Sequence, residues 1–345
     1  MTGASEATGD VTGASEATGD TTVDILIIGA GPVGLFGAYY AGARGLSVAV
    51  VDSLSQLGGQ ITAMYPEKEI YDIAGFPAVT GRRLVADLVE QAGQYHPTYL
   101  LGREAQTHET SADGRHLVGL SDGSIVDAGA VVITGGIGTF TPRPLPAGEE
   151  FLGRGLDYFV PDSTPFHDAN VVVVGGGDSA VDWCLMLTPI ARSVTLVHRR
   201  DKFRAHQASV DKVLTHPEIS VMINAQVAGL EGGGGIEKAV VETKGGGTTV
   251  LECERVVAAL GFTANLGPLR DWGLALHDNR HLVVDSAMRT NVPGVFSAGD
   301  ITDYDGKVRL IAVGFGEVAT AVNNAAVHLD PDAMLFPGHS TDNPH

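Results

Sequence analysis

Cysteine is scarce in this chain. Its 345 residues include two, Cys184 and Cys253, far apart and in no CxxC pair. That argues against a zinc ribbon and a vicinal redox dithiol, and leaves two packed core thiols as the expectation. Twelve histidines are scattered with no HExxH or paired-ligand spacing, so no metal site is expected. No apolar run approaches a membrane span, and no basic segment precedes an apolar stretch near Met1. The expectation is therefore a soluble cytoplasmic protein that stays off the membrane. Positive charge is short too: 22 Lys and Arg face 41 Asp and Glu, a net charge of −19. Such a balance argues against nucleic acid as a partner. Only six of the cations are lysine; an acidic, lysine-poor surface suits a high-salt cytoplasm, but plain solubility explains it as well.

Glycine, by contrast, is abundant, with 46 residues clustering at turns after strands, as nucleotide-binding α/β proteins require. The length implies two domains. Residues 2–10 and 12–20 are the same nonapeptide, TGASEATGD, written twice. It is polar and has no large apolar residue, so 1–22 is expected to be a disordered tail. From Val23, DILIIG reads as a buried strand, GAGPVG as a turn, residues 32–44 as a helix and SVAVVD as the next strand, ending on Asp52. Gly29, Gly31 and Gly34 fit G-x-G-x-x-G, and Asp52 stands where a ribose diol would be held, so this loop is expected to take FAD or NAD. The turn-rich segment 56–77 brings Tyr65 and Tyr71, which could cover a flavin ring or simply pack. A helix is expected from Thr80 to about Tyr95, then a meander over 98–127 with D-G turns at 113–114 and 122–123. A buried strand at 130–134 ends in glycines and prolines, a natural domain exit.

A second strand–turn–helix–strand unit occupies 171–204. VVVV is a strand buried on both faces, the glycine run turns the chain, a helix is expected from Ser179 to about Ile190, and Val194–His198 is the next strand. Gly175, Gly177 and Ala180 fit G-x-G-x-x-G/A, but Arg199 and Arg200 replace the ribose-binding acid, which points to the 2′-phosphate of NADP. After Arg204 a helix to about Leu214 is expected, then strands near 219–228, 236–242 and 248–253, and a buried strand in RVVAALGFTAN that echoes AVVITGGIGTF. A strand at 294–297 leads to Gly299-Asp300 and a helix from about Gly316 to Val327. Asp300 could hold a ribityl hydroxyl or serve as a cap. The fold class is α/β with two Rossmann-type, three-layer nucleotide-binding domains.

The strings GAGPVGLF, SLSQLGGQ, YPEKEIYDIAGFP, GGGDSAVDW, VHRRDKFRAH, GKVRLIAVGFGE and PGHST together resemble the thioredoxin-reductase-like ferredoxin–NADP⁺ reductases, from about residue 23 to the end. The resemblance implies a homodimer with the NADPH domain (140–262) inserted into a discontinuous FAD domain (23–139 and 263–345). It implies FAD contacts at Gly29, Gly31, Gly34, Asp52, Gln60, Tyr65, Ala105, Phe140, Asp300 and Thr341. Tyr65 would stack on one flavin face, and His339 and Thr341 would cover the other, from the partner subunit. Asp52 stands where relatives more often have Glu. NADPH would be held by Gly175, Gly177 and Ala180, with Arg199, Arg200 and Arg204 around the 2′-phosphate; Arg204 is expected one helical turn beyond Arg200.

The implied activity is that of a ferredoxin–NADP⁺ reductase: hydride passes from NADPH to flavin N5, then single electrons pass to a ferredoxin or flavodoxin. No acid or base residue is needed for that hydride step, only stacking and exclusion of water. Related thioredoxin reductases carry a CxxC just upstream of the second glycine loop, where this chain reads GLDYFVPDSTPF. Without it, electrons must leave from the flavin edge. Docking of an acidic ferredoxin then calls either for a local basic patch, with Arg82 and Arg83 as candidates, or for an encounter that tolerates high salt. The rival readings are an NADPH-dependent flavin oxidoreductase with a quinone, a small disulfide or free flavin as acceptor, and a non-enzymatic NADPH sensor.

Overall fold

A computed structural model describes residues 20–160 and 162–339, without the side chains of residues 139–141, 263 and 264. The duplicated nonapeptide up to residue 19, and Thr341, lie outside the described residues. The chain divides into two compact units. The first takes in residues up to 62, 66–139 and from 265 onward; the second takes in 140–264 together with Ala63–Tyr65.

The first unit is built on the strand Thr21–Ile28, where every residue from Ile25 to Ile28 is buried. A continuous apolar run of this kind belongs at the centre of a parallel sheet, covered on both faces. It pairs in parallel with Val48–Asp52 on one side and with Ile125–Ile133 on the other, and Thr98–Leu101 extends the sheet beyond Val48–Asp52. The nine-residue strand Ile125–Ile133 serves two partners along its other edge. Its first half pairs antiparallel with His116–Leu120, and Val131–Ile133 pair in parallel with Val295–Ser297. Ala105–Thr110 completes the meander, whose turns carry Gly114 and Gly123 at φ 85° and 86°, the left-handed backbone that a tight D-G turn demands. Successive side chains of the central strand alternate between two cores: Leu26 and Ile28 face one, Ile25 and Ile27 the other.

Helix Pro32–Ala43 starts on Pro32, whose missing N–H costs nothing in the first turn. Helix Gly81–Gly93 is capped by the Thr80 hydroxyl, which accepts from the Arg83 N–H at 3.3 Å. The last helix, expected from Gly316, begins at Ile311 and runs to Leu329. Gly314 looks like a breaker but is a packing residue: a side chain there would meet Val33 and the Cα of Gly299. Packing therefore outweighs the roughly 1 kcal/mol that glycine costs a helix.

In the second unit the parallel order is Leu156–Asp157, Arg255–Ala259, Asn170–Gly175, Ser193–His198, Ile219–Ile223. The four valines divide by parity. Val171 and Val173 pack with helices Asp178–Leu187 and Gln207–Thr215, while Val172 and Val174 pack with the antiparallel sheet of Ala225–Glu231, Lys238–Thr243 and Thr248–Glu252. The result is three layers. The helix expected directly after Arg204 begins at Gln207, and the glycine-loop helix ends at Leu187 rather than near Ile190. The chain leaves the first unit and returns to it through Thr139–Pro142 and Phe262–Asn265, which pair as a two-stranded sheet. Among the described residues, no helix is long and apolar enough to cross a membrane, and no cluster of metal-ligating side chains forms.

Candidate nucleotide sites

The first glycine loop is shaped by what its glycines lack. Gly29 has φ 113°, and a side chain on it would strike the Thr134 carbonyl at 2.6 Å. A side chain on Gly34 would collide with the Gly29 carbonyl, which is already bound by the Thr134 hydroxyl at 2.8 Å. A side chain on Gly31 would meet nothing within 4 Å. The first and third glycines therefore serve the loop's own packing, whereas Gly31 borders open space at the start of helix Pro32–Ala43, where aligned N–H groups favour a phosphate.

Asp52 is tied to this loop. Its carboxylate accepts from the Ala30 N–H at 2.7 Å and from the Leu54 N–H at 2.8 Å. Burial pushes its pKa up, and those two N–H groups oppose the rise. Two acceptor oxygens with lone pairs to spare suit a vicinal diol. Gln60 comes to the same end of the sheet: a side chain on Gly136 would lie 2.8 Å from its Nε2, and Gly59 lies against Gly31. Ala105 is buried at the start of the meander's edge strand, opposite Leu120. Asp300 follows the strand Val295–Ser297 and is half-buried, its pKa raised by burial and pulled back by Lys307 and Arg309.

Tyr65 goes with the second unit. Phe140 lies in the strand Thr139–Pro142, but its side chain is outside the described residues. His339 is exposed, its ring edge-on to Phe336 at 5.2 Å. The segment leading to it is held where the Arg44 guanidinium donates to the carbonyls of Met334 and Leu335 at 2.9 and 3.1 Å.

In the second loop, a side chain on Gly175 would meet the methyl of Ala180 at 2.8 Å, so nothing larger than alanine fits the third position of this fingerprint. Gly177 is the N-cap of helix Asp178–Leu187, and Asp178 in the first turn accepts from the His206 N–H at 2.8 Å. Arg204 reaches this loop by another route than expected. It is not on a helix with Arg200; its N–H donates to the Gly176 carbonyl at 2.6 Å and it bridges to Gly177 as a strand. The segment 199–206 folds back on the loop because His198 anchors it. That ring fills the space a side chain on Gly176 would need, stacks on Phe203 at 4.9 Å, and donates from Nε2 to the Lys202 carbonyl at 3.0 Å. Arg199, Arg200 and Arg204 are all exposed, and no ion pair among the described residues engages them. Three uncommitted guanidinium groups beside a helix N-terminus can grip a phosphate dianion.

Sequence reasoning missed His198 and one buried network. Glu317 accepts from the Gly299 N–H at 2.8 Å, the Tyr304 hydroxyl at 2.6 Å and the Lys307 ammonium at 2.5 and 2.7 Å. The string GKVRLIAVGFGE carried the signal, since a Lys and a Glu amid apolar residues beside a strand-end Gly-Asp ask for partners. The proposed docking cations are already paired: Arg82 with Glu67 at 2.5 Å and Arg83 with Asp87 at 2.9 Å. Neither offers surplus positive charge.

Residues 23–325 match the pyridine nucleotide-disulphide oxidoreductase family. A ferredoxin–NADP reductase of Salinispora tropica is 62% identical over 320 residues, 93% of this chain and 98% of the relative. One from Halalkalibacterium halodurans is 46% identical over 324 residues, 92% of this chain and 97% of the relative. Among solved structures, T. acidophilum thioredoxin reductase is similar with a TM-score of 0.74 at 27% identity over 90% of this chain and 99% of that one. Lactococcus lactis thioredoxin reductase gives 0.73 at 27% identity over 89% and 99%. The chain thus belongs to the pyridine nucleotide-disulphide oxidoreductase family, with a thioredoxin-reductase-like fold and with ferredoxin–NADP reductases as relatives along nearly its whole length.

Proposed function

We propose that the protein is a flavoprotein that passes electrons between NADPH and ferredoxin. The observation that carries this reading is a pair of glycine loops with opposite charge partners, in a chain whose thiols are both sealed. One loop is bound to the Asp52 carboxylate and the other to the arginine segment. Cys184 and Cys253 are 0% and 1% exposed, and burial pushes each thiol up to about 12. Neither can act as a thiolate that hands electrons to a disulfide.

In this reading the FAD site is made by Gly29, Gly31, Gly34, Asp52, Gln60, Ala105, Phe140 and Asp300, with Tyr65 stacking on one flavin face. The open space at Gly31 and the spare acceptors of Asp52 fit an adenine dinucleotide without a 2′-phosphate. FAD supplies the two-electron-to-one-electron conversion that NADPH and an iron–sulfur partner require. The first unit would hold FAD and residues 140–262 would hold NADPH. Gly175, Gly177 and Ala180 would admit its pyrophosphate, and Arg199, Arg200 and Arg204 would select the 2′-phosphate. The working form would be a cytoplasmic homodimer in which His339 and Thr341 cover the partner's flavin.

The test is the absorbance spectrum of the purified protein, followed by NADPH-dependent, ferredoxin-mediated cytochrome c reduction. A yellow protein that turns over through ferredoxin or flavodoxin supports the reading. Faster turnover with a quinone or small disulfide would replace it. An Arg199→Ala, Arg200→Ala variant is expected to lose most of its preference for NADPH over NADH, by about tenfold or more, as removal of charge-assisted bonds worth about 1.5–3 kcal/mol requires. An unchanged NADPH/NADH ratio of kcat/KM would remove the phosphate assignment.

A further inference from the structure

The ion pair of Lys307 and Glu317 is the most deeply buried in the described chain, with side-chain exposures of 2% and 5%. A pair so placed is weak evidence for stability, because desolvating two charges offsets much of their attraction. Its location suggests another purpose. Glu317 stands on the second turn of helix Ile311–Leu329 and binds the Gly299 N–H. The Gly299 carbonyl is bound in turn by the Thr302 hydroxyl at 2.8 Å and the Thr302 N–H at 3.1 Å. Ala298, one residue earlier, donates to the Ile133 carbonyl at 3.0 Å. Gly299 itself has φ 83°, and a side chain there would press on Val33, the second residue of the glycine-loop helix, at 3.3 Å. Both backbone groups of Gly299, the residue just before Asp300, are therefore held, and the Glu317 carboxylate is the hub.

We propose that Lys307 and Glu317 are positioning residues of the flavin site, which lock the Gly299–Asp300 turn against the first glycine-loop helix so that Asp300 is presented to FAD. The inference rests on the reading of this unit as the FAD site. Lys307 closes the hub: it bonds both carboxylate oxygens, lies over the Tyr304 ring at 5.5 Å, and leaves Glu317 no freedom to rotate away from Gly299. Its charge also favours the ionised form of Asp300, as Arg309 and His281 do, against burial and the Glu317 charge.

The test measures the FAD dissociation constant from the fluorescence of released flavin, on full-length protein. Four proteins are compared: wild type, Asp300→Asn, the paired variant Lys307→Met with Glu317→Gln, and the three substitutions together. Removing both charges at once leaves no orphaned ion, so the paired variant is expected to fold. It should bind FAD about tenfold more weakly, and in the Asp300→Asn background the same change should cost no more than about twofold, the non-additivity of residues acting as one unit. NADPH affinity of the second unit is expected to stay as in wild type. A purely structural role would weaken FAD binding by the same factor with or without Asp300, and that additive result overturns the proposal, as does wild-type affinity in the paired variant. If the paired variant does not fold, Tyr304→Phe removes one donor from Glu317 while keeping the ion pair. A severalfold weakening that vanishes with Asp300→Asn supports the proposal, and its persistence there overturns it. A wild-type protein that takes up no FAD at all would instead sink the cofactor reading itself.

Discussion

Gly31 and Gly34 are three residues apart and look interchangeable in a fingerprint, yet their surroundings differ. A methyl group on Gly31 enters open space at backbone angles that any residue adopts, whereas one on Gly34 strikes the Gly29 carbonyl. Gly31→Ala is therefore expected to leave the Tm of the FAD-free protein nearly unchanged while sharply lowering FAD occupancy, read from the ratio of visible to ultraviolet absorbance. Gly34→Ala is expected to destabilise the fold by about 1–3 kcal/mol, as overpacking does. Residues of this kind were legible in the sequence, because a glycine loop, an acid after the next strand and arginines after its counterpart are local signals. Lys307 and Glu317 were not, since their meaning depends on a tertiary bond to Gly299 that no spacing announces.

At the scale of elements, the meander holds a buried histidine. His116 is 0% exposed; its Nδ1 is hydrogen-bonded to His108 Nε2 at 2.8 Å, and its Nε2 has no partner among the described residues. His108 stacks on Trp272, which donates to the Gln106 carbonyl. Burial, with His108, His328 and Arg115 adding to it, pushes the His116 pKa down from 6.5 to about 4. The unfolded chain therefore binds the extra proton first as pH falls, so the stabilisation is complete above about 6.5 and is lost progressively towards about 4. Wild-type protein should lose about 2 kcal/mol between pH ~7 and pH ~5 from this residue alone, measured by urea unfolding, and His116→Gln should flatten that slope. The strands around it were well read from alternation and D-G turns. Helix limits were read less well, because Arg204 is drawn to Gly176 and the next helix starts only at Gln207, while the last helix runs through Gly314 to meet Val33. In both places a contact distant in sequence decided against the local pattern.

For the whole molecule, a net charge of −19 sets the approach of any acidic partner. With Arg82 and Arg83 already paired, repulsion should dominate at low salt. The KM for an acidic ferredoxin is expected to fall as ionic strength rises from about 0.01 M to about 0.15 M, as the Debye length shortens from about 30 Å to about 8 Å. A rise in KM would reveal a local positive face. The shared strand Ile125–Ile133 has a different consequence, for the order in which the protein comes into being. Its C-terminal half waits for Val295–Ser297, which the ribosome delivers only after all of 140–264. Closing so long a loop is slow, whereas the intervening unit has its strands and helices in one continuous stretch. In pulsed hydrogen exchange during refolding, amides of Asn170–Gly175 should be protected before those of Val295–Ser297 and Ile311–Leu329. On the proposed reading, a nascent chain would then own a finished site for its reductant before the carboxylate of Asp300, synthesised later, could complete a place for the flavin.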